Sequence, residues 1–465
     1  MRSRSRRSFL KSSAAAAVGA SFPTIIPATA LGRGKRPAPS ERVTMAFIGT
    51  GNQGMNEMKT FLSDERVQVI AVCDVNKESP GYWENAIGGR GPAKRLAEDY
   101  YSKEENVPRG GYRGCATYED YRELLARDDL DAVEIATPDH WHVLQVLDAA
   151  RAGKHIYGQK PLALTIPEGR LMSDAVRKAG ITWQTGSQRR SDQHNRLACE
   201  YVRNGRIGKV HTVKVGLVPG NPDINRQGHR TLPEPVPEGL NYELWLGPAP
   251  HAPYCGARLP VNWRWILDYS GGNVTDIGAH NIDIAQWGLG TDGTGPVEIR
   301  NARATFPPEG ELWNTATSYY FEAIYKNGVK MIVADSHQVR SGITFEGEEG
   351  RSIWCDSGQF ETHPKELREE TIGENERRLY NSRHHFRNFI DCVYSGQPTA
   401  APIEAAHRTV TIAHLGNIAM RLKREKLRWD PDNERILEDA EAARMLNRPM
   451  RAPWKLGTER LESSS

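Results

Sequence analysis

Between residues 43 and 186, short apolar runs alternate with stretches whose apolar positions recur every three or four residues. The runs at 44–48, 67–74, 131–136, 154–158 and 181–184 have the length and the β-branched content of buried strands. Helical spacing follows most of them: from Gly54 through Leu62, over 142–152 with Val143, Val146, Leu147 and Ala150 on one face, and over 165–179. Thr117 and Asp120, like Thr165 and Glu168, have the form of a capping box, so helices are expected from 117 to 126 and from 165. Residues 77–113 are polar and Gly-rich and read as a long surface excursion around one helix at 93–101. Strand and helix in strict alternation predict a parallel, doubly wound sheet.

After about residue 186 the pattern changes. Residues 211–218 alternate apolar and polar with period two, and 317–325 and 329–334 read similarly, which predicts a sheet with one open face and antiparallel pairing. Residues 219–260 are rich in Pro and Gly and are expected to wrap a site as loop; 381–394 and 403–422 read as helices. The expected division is a leader and linker at 1–40, a nucleotide-binding domain at 41–186 and a second domain for substrate binding and oligomerisation at 187–465. Internal repeats are absent.

Charge changes the picture only at one end. The chain has 465 residues with 61 basic and 58 acidic side chains, a composition that excludes a coiled coil, a collagen-like chain and a polytopic membrane protein. Eight basic residues and no acidic ones lie within 1–40. Ser5-Arg-Arg-Ser-Phe-Leu-Lys11 is a twin-arginine export pattern, an Ala-rich apolar stretch follows, and Ala28-Thr-Ala30 suits a cleavage site. A periplasmic or exported protein without a membrane anchor after cleavage is therefore expected. The remainder is slightly acidic, which argues against a nucleic-acid partner. The six cysteines show no CxxC spacing, and no structurally essential disulfide is expected.

The chemistry begins at Gly49-Thr-Gly-Asn-Gln-Gly54, a GxGxxG loop between a strand and a helix. The first glycine permits the tight turn, the second lets a pyrophosphate approach the backbone, and the third lets the helix pack close to the strand. Gly49, Gly51, Asn52, Gln53 and Gly54 are accordingly cofactor-binding candidates. Asp74 ends the second strand, 20 residues past Gly54. Its carboxylate can accept from a ribose 2′-hydroxyl and would repel a 2′-phosphate, so NAD is expected rather than NADP.

Four blocks together carry a family resemblance: Gly49–Gly54; Thr137-Pro-Asp-His-Trp-His142; Ala152-Gly-Lys-His-Ile-Tyr-Gly-Gln-Lys-Pro161; and Gly272-Asn-Val-Thr-Asp-Ile-Gly-Ala-His-Asn-Ile-Asp283. In order and spacing the chain resembles the Gfo/Idh/MocA oxidoreductases over residues 42–425. The resemblance implies an α/β protein: an N-terminal Rossmann domain and a C-terminal α/β domain with an open, mostly antiparallel sheet. It implies Lys160, Asp276 and His280 as catalytic residues. His280 would be the general acid/base, Asp276 its partner, and Lys160 would touch both the nicotinamide ribose and the substrate hydroxyl. Thr137, Pro138 and His142 would border the cofactor. The family usually has Glu-Lys-Pro where this chain has Gln159-Lys160-Pro161.

Arg189, Trp263, Arg264, Trp265 and Tyr269 are candidates to stack on and hydrogen-bond a pyranose or cyclitol ring. No metal is expected: His and Asp four apart could ligate zinc, but sequence does not bring a third ligand to them. The leading expectation is an exported, homo-oligomeric, NAD-dependent oxidoreductase acting on a sugar or cyclitol hydroxyl. A redox-assisted glycosidase and a non-catalytic, cofactor-retaining binding protein are the alternatives.

Overall fold

The computed structural model describes residues 36–220 and 229–456. The twin-arginine pattern and the cleavage motif lie outside them. The described residues fall into two units, divided between Arg42 and Val43. In the first, Pro39–Glu41 makes a single 3-10 turn.

The second unit begins with a six-stranded parallel sheet in the order β3-β2-β1-β4-β5-β6. Its strands are β1 (Val43–Ile48), β2 (Val67–Cys73), β3 (Ala116–Tyr118), β4 (Ala132–Ile135), β5 (His155–Gly158) and β6 (Trp183–Thr185). Ile48 pairs with Cys73 on one side and Ile135 on the other, so the strands end level. The direction of winding reverses between β1 and β4, which opens a crevice beyond the strand ends at that point. Met45 and Phe47 of β1 bury on one face with α1 (Asn52–Leu62) and α2 (Arg90–Glu104). Ala46 and Ile48 bury on the other face with α3 (Tyr121–Leu125), α4 (Asp139–Arg151) and α5 (Ile166–Ala179).

Two local signals resolve differently. Thr165 and Glu168 form the full reciprocal capping box of α5. Thr117 instead lies in β3, and the cap of α3 is Asp120, whose carboxylate accepts from the Arg122 N–H. Thr117 pairs with Val72 across the sheet edge, and that ladder outcompetes the local cap. α2 spans Arg90–Glu104, longer than the sequence signal at 93–101.

After α6 (Gln193–Arg203) comes a nine-stranded sheet in the order β13-β12-β11-β7-β10-β9-β8-β14-β15. β7 (Thr212–Leu217) pairs parallel with β10 (Lys330–Asp335), and the other pairings are antiparallel. β9 (Ser318–Ile324) buries every second residue, as the period-two pattern requires. The remaining strands are β8 (Glu298–Thr305), β11 (Gly342–Glu346), β12 (Ser352–Asp356), β13 (Gln359–His363), β14 (Lys426–Asp430) and β15 (Arg435–Leu437). Between β7 and β8 lie α7 (Tyr242–Leu246), α8 (Asn273–Asp276) and α9 (Gly278–Leu289); after β13 come α10 (His385–Ser395), α11 (Ile403–Arg421) and α12 (Ala440–Arg444).

α10 and α11 tie the two sheets together. Phe389 and Ile390 of α10 bury beside Phe61 in the core of the first sheet. α11 places Ile403 and Val410 against the first sheet's other face, and Ile412 and Leu415 in the core of the second. Each such side chain contributes about 1.5–3 kcal/mol by leaving water. All six cysteines are free and buried. No helix among the described residues is long and apolar enough to cross a membrane.

The turn after β1 is a tight backbone junction. Gly49 has φ +88, and a Cβ on Gly54 would overlap the Gly49 carbonyl. Gly54→Ala should lower the thermal midpoint and weaken NAD binding together, because the clash is with backbone and only a displaced turn relieves it. Calorimetric unfolding and NAD titration of the variant check this.

Candidate active site

The turn, the end of β2 and the start of α4 border a cavity of about 280 Å³. Gly49, Gly51, Asn52 and Gln53 line it from the turn, Asp74 from β2, and Thr137 and Pro138 from the loop after β4. Asp74 is anchored: Oδ2 accepts from the Thr50 N–H (2.8 Å) and Oγ1 (3.1 Å), and Oδ1 accepts from the Asn76 N–H (2.8 Å). Burial raises its pKa against those bonds. The near wall, the strand-end carboxylate and the glycine turn fit a dinucleotide. The uncapped first turn of α1 adds N–H groups for a pyrophosphate.

The loop expected to wrap the site does so, lining the cavity with Arg230, Leu240, Trp245, Tyr254 and Leu259; a further wall was not legible as such in the sequence. The excursion after β2 folds back through a bridge between Ser79 and Gly88. Tyr82 packs against the fingerprint, where a Cβ on Gly51 would lie 3.0 Å from its ring. Trp83 stacks on Arg264, whose guanidinium carbon also sits 4.3 Å from the Trp263 ring centre. The only sequence sign of this wall is a pair of large aromatics, Tyr82-Trp83, beside Pro80-Gly81 in an otherwise polar stretch.

Lys160 follows β5, and Asp276 ends α8. Their side chains form an ion pair, 17% and 13% exposed. Arg264, which lines the cavity, brings its Nε to 3.7 Å from Asp276 Oδ2 and so links the cavity to this pair. Burial pushes the Asp276 pKa up, but Lys160 and Arg264 outweigh it and hold the carboxyl below its ordinary range. His280 lies one turn on, in α9; the helical backbone continues through Ile277 between them. Burial, then the positive charges of Lys160 and Arg189, hold the His280 pKa well below its usual value, and its Nδ1 has no hydrogen-bond partner. A buried ion pair beside a neutral imidazole with a vacant nitrogen can stabilise an alkoxide and accept a proton.

The other candidates are spread around this centre. Arg189 Nη1 donates to Asn281 Oδ1 and Asp356 Oδ1, both at 2.6 Å, and lines a second cavity together with Ser191 and His385. Trp263 lines the first cavity. Trp265 is half-buried and lines neither. Tyr269 is fully buried in an aromatic cluster with Trp245 and His140, its hydroxyl accepting from Arg258. His142 is buried with Nε2 2.9 Å from the Thr137 carbonyl and Nδ1 2.9 Å from that of Pro161. It thus spans the loops that carry Thr137 and Lys160 rather than lining the cavity. No cluster of three metal-ligating side chains occurs among the described residues.

Residues 43–187 match the NAD-binding Rossmann fold of the GFO/IDH/MocA oxidoreductase family, and residues 197–456 its C-terminal alpha/beta domain. The chain belongs to the Gfo/Idh/MocA oxidoreductase family. Among curated relatives, it is 28% identical to the uncharacterized oxidoreductase YrbE of Bacillus subtilis over 48% of this chain and 53% of that one. It is 29% identical to the alpha-N-acetylgalactosaminidase of Shewanella oneidensis over 46% and 43%. The chain spans about half the length of the curated relatives it matches. Among solved structures, the aldose-aldose oxidoreductase of Caulobacter crescentus aligns with TM-score 0.56 at 18% identity, over 83% of this chain and 99% of that one. A levoglucosan dehydrogenase in complex with NADH aligns with TM-score 0.53 at 16% identity, over 83% and 98%. These structures share the fold.

One carboxyl beside the site gives a pH signature. Asp139, buried at the start of α4, has its pKa pushed up to about 7 by burial and by the Asp276 charge. The folded protein therefore holds a proton that the unfolded chain releases near pH ~4, so this group lowers stability as pH rises from ~4 to about 7. Asp139→Asn should be more stable than wild type at pH about 7 and equal to it below ~4, read from urea unfolding across that range.

Proposed function

We propose that this protein is an exported oxidoreductase that moves a hydride between a sugar or cyclitol carbinol carbon and a tightly held NAD. The observation that carries the reading is the convergence of Lys160, Asp276 and His280, joined through Arg264 to the cavity that Asp74 and the glycine turn border. NAD, when bound, supplies the hydride acceptor. Asp74 stands where a 2′-phosphate would have to lie against a carboxylate, which favours NAD over NADP. Gly49, Gly51, Asn52, Gln53, Gly54, Thr137 and Pro138 form the cradle.

The chain's own residues then divide the work. A substrate hydroxyl takes the place of Asp276 at the Lys160 ammonium, and the positive charge lowers the cost of an alkoxide. His280, held neutral, receives the hydroxyl proton at its vacant Nδ1. Asp276 stays ionised and offsets the charge of the resulting imidazolium. Arg264, stacked between two indoles, and Arg189, held by Asn281 and Asp356, supply donors for further ring hydroxyls.

Tight cofactor retention is supported by Tyr82, which lines the cavity against the glycine turn. It also suits export: Arg6-Arg7 directs folded, cofactor-loaded protein outward, where free NAD is scarce. A second reading, redox-assisted glycoside hydrolysis with the NAD recycled in place, is favoured by the similarity to an alpha-N-acetylgalactosaminidase. A sugar panel that includes chromogenic glycosides separates the two, since only hydrolysis releases the chromophore.

NAD should co-purify. His280→Ala should keep it and slow its reduction by substrate about 10²-fold or more, whereas Lys160→Ala should harm both retention and reduction. The measurements are NAD per chain after denaturing extraction and the single-turnover absorbance change. Folded His280→Ala protein that reduces NAD at the wild-type rate would remove His280 as the base.

A further inference from the structure

Below the cofactor turn, a single buried carboxylate joins the first turn of its own helix to two distant segments that carry the site. Glu57, on α1, is 2% exposed. Its Oε1 accepts from Gln53 Nε2 (2.9 Å), Gln159 Nε2 (2.6 Å) and Gln188 Nε2 (2.8 Å). Gln53 belongs to the glycine fingerprint, Gln159 immediately precedes Lys160, and Gln188 immediately precedes Arg189. Gln159 works in both directions: its Oε1 accepts from the Lys160 N–H at 3.3 Å. The fit is close, because a Cβ on Gly186 would sit 2.4 Å from Gln159 Nε2.

The other side of Glu57 faces a second carboxyl: its Oε2 and both oxygens of Glu134, fully buried in β4, have no hydrogen-bond partner. Burial and the adjacent Glu57 hold the Glu134 pKa well above the carboxyl range. A proton on Glu134 turns two repelling carboxylates into a donor and an acceptor. That proton gives the unpartnered Oε2 a donor from behind, while Oε1 faces three amides and, at 3.5 Å, the Tyr157 hydroxyl in front.

We infer that Glu57 is a positioning residue for this site: through Gln53, Gln159 and Gln188 it sets the cofactor turn, Lys160 and Arg189 relative to one another. The role is an acceptor's, carried by geometry at Oε1, and the residue touches neither substrate nor cofactor. Gln159 is on this account the amide donor that a carboxylate at position 57 requires. A glutamate at 159 would place two carboxylates at hydrogen-bond distance.

The inference rests on the proposed reaction only for its rate readout; the affinity readout uses NAD alone. Glu57→Leu removes the acceptor, Glu57→Gln keeps an accepting oxygen, and Gln159→Leu removes the link between Glu57 and Lys160 while Gln53 and Gln188 still donate to Glu57. For each, the NAD dissociation constant is measured by calorimetry, the rate of bound-NAD reduction by single turnover with the wild-type substrate, and the fold by thermal unfolding. Glu57→Leu should weaken NAD about tenfold or more, since three amides lose their partner, while Glu57→Gln stays within about threefold of wild type. Gln159→Leu, with an unfolding midpoint near wild type, should slow reduction about tenfold. Folded Glu57→Leu with wild-type affinity overturns the inference. So does an equal loss in Glu57→Gln, which would assign the effect to charge rather than position. Should Glu57→Leu fail to fold, a wild-type reduction rate in Gln159→Leu overturns it alone. A wild type that binds NAD but reduces it with no sugar sinks the proposed reaction and leaves the affinity comparison to decide this point.

Discussion

A lysine from the end of one sheet and an aspartate from a helix over the other meet in a buried ion pair, and the site exists only because they meet. Lys160 is delivered by β5, the fifth strand of the parallel sheet, and Asp276 by the short helix α8 of the second half. Such a pair adds little net stability, because taking both charges out of water costs about as much as their attraction returns. The halves are held by other means. The buried Arg190 guanidinium grips Asp283 with two bonds of 2.7 Å, joining the segment after β6 to α9. α10 and α11 bury apolar side chains against both sheets. The fold does not depend on the Lys160–Asp276 pair staying closed.

The same pair sets the electrostatics of its neighbours. Together with burial, the Lys160 charge keeps His280 neutral, and with Arg264 it keeps Asp276 ionised. A neutral imidazole, a carboxylate and an ammonium within a few residues' reach are the protonation states that alcohol oxidation starts from. Arg264, which lines the cavity and stacks between Trp83 and Trp263, also approaches Asp276, so the cavity and the ion pair share one residue.

Much of this was legible in the sequence because backbone constraints leave marks there. Gly49 and Gly54 are glycines for steric reasons, and Asp74 sits one sheet rung away from them. The alternation of runs from 44 to 184 reports the parallel sheet, and strict period two in β9 reports a half-open one. The strands of 298–305, 342–346 and 352–363 were not read, since several are short and their polar residues face a partly exposed surface. Thr117 misled because a sheet pairing overrode a local cap. Tyr269 and His142 are aromatic and polar residues near the site in sequence, yet packing places one inside an aromatic cluster and the other between two loops. Glu57 had no sequence signal at all: its partners lie 4, 102 and 131 residues away.

The central claim is that Lys160 and Asp276 act as one unit in the chemical step. A double-mutant cycle on the single-turnover reduction of bound NAD tests it most directly, using Lys160→Met, Asp276→Asn and the double variant, each confirmed folded and loaded with cofactor. Residues that act as a unit are non-additive. The double variant should therefore be no slower than Lys160→Met alone. If its rate falls by the product of the two single effects, the two residues act independently and the account of the site is wrong.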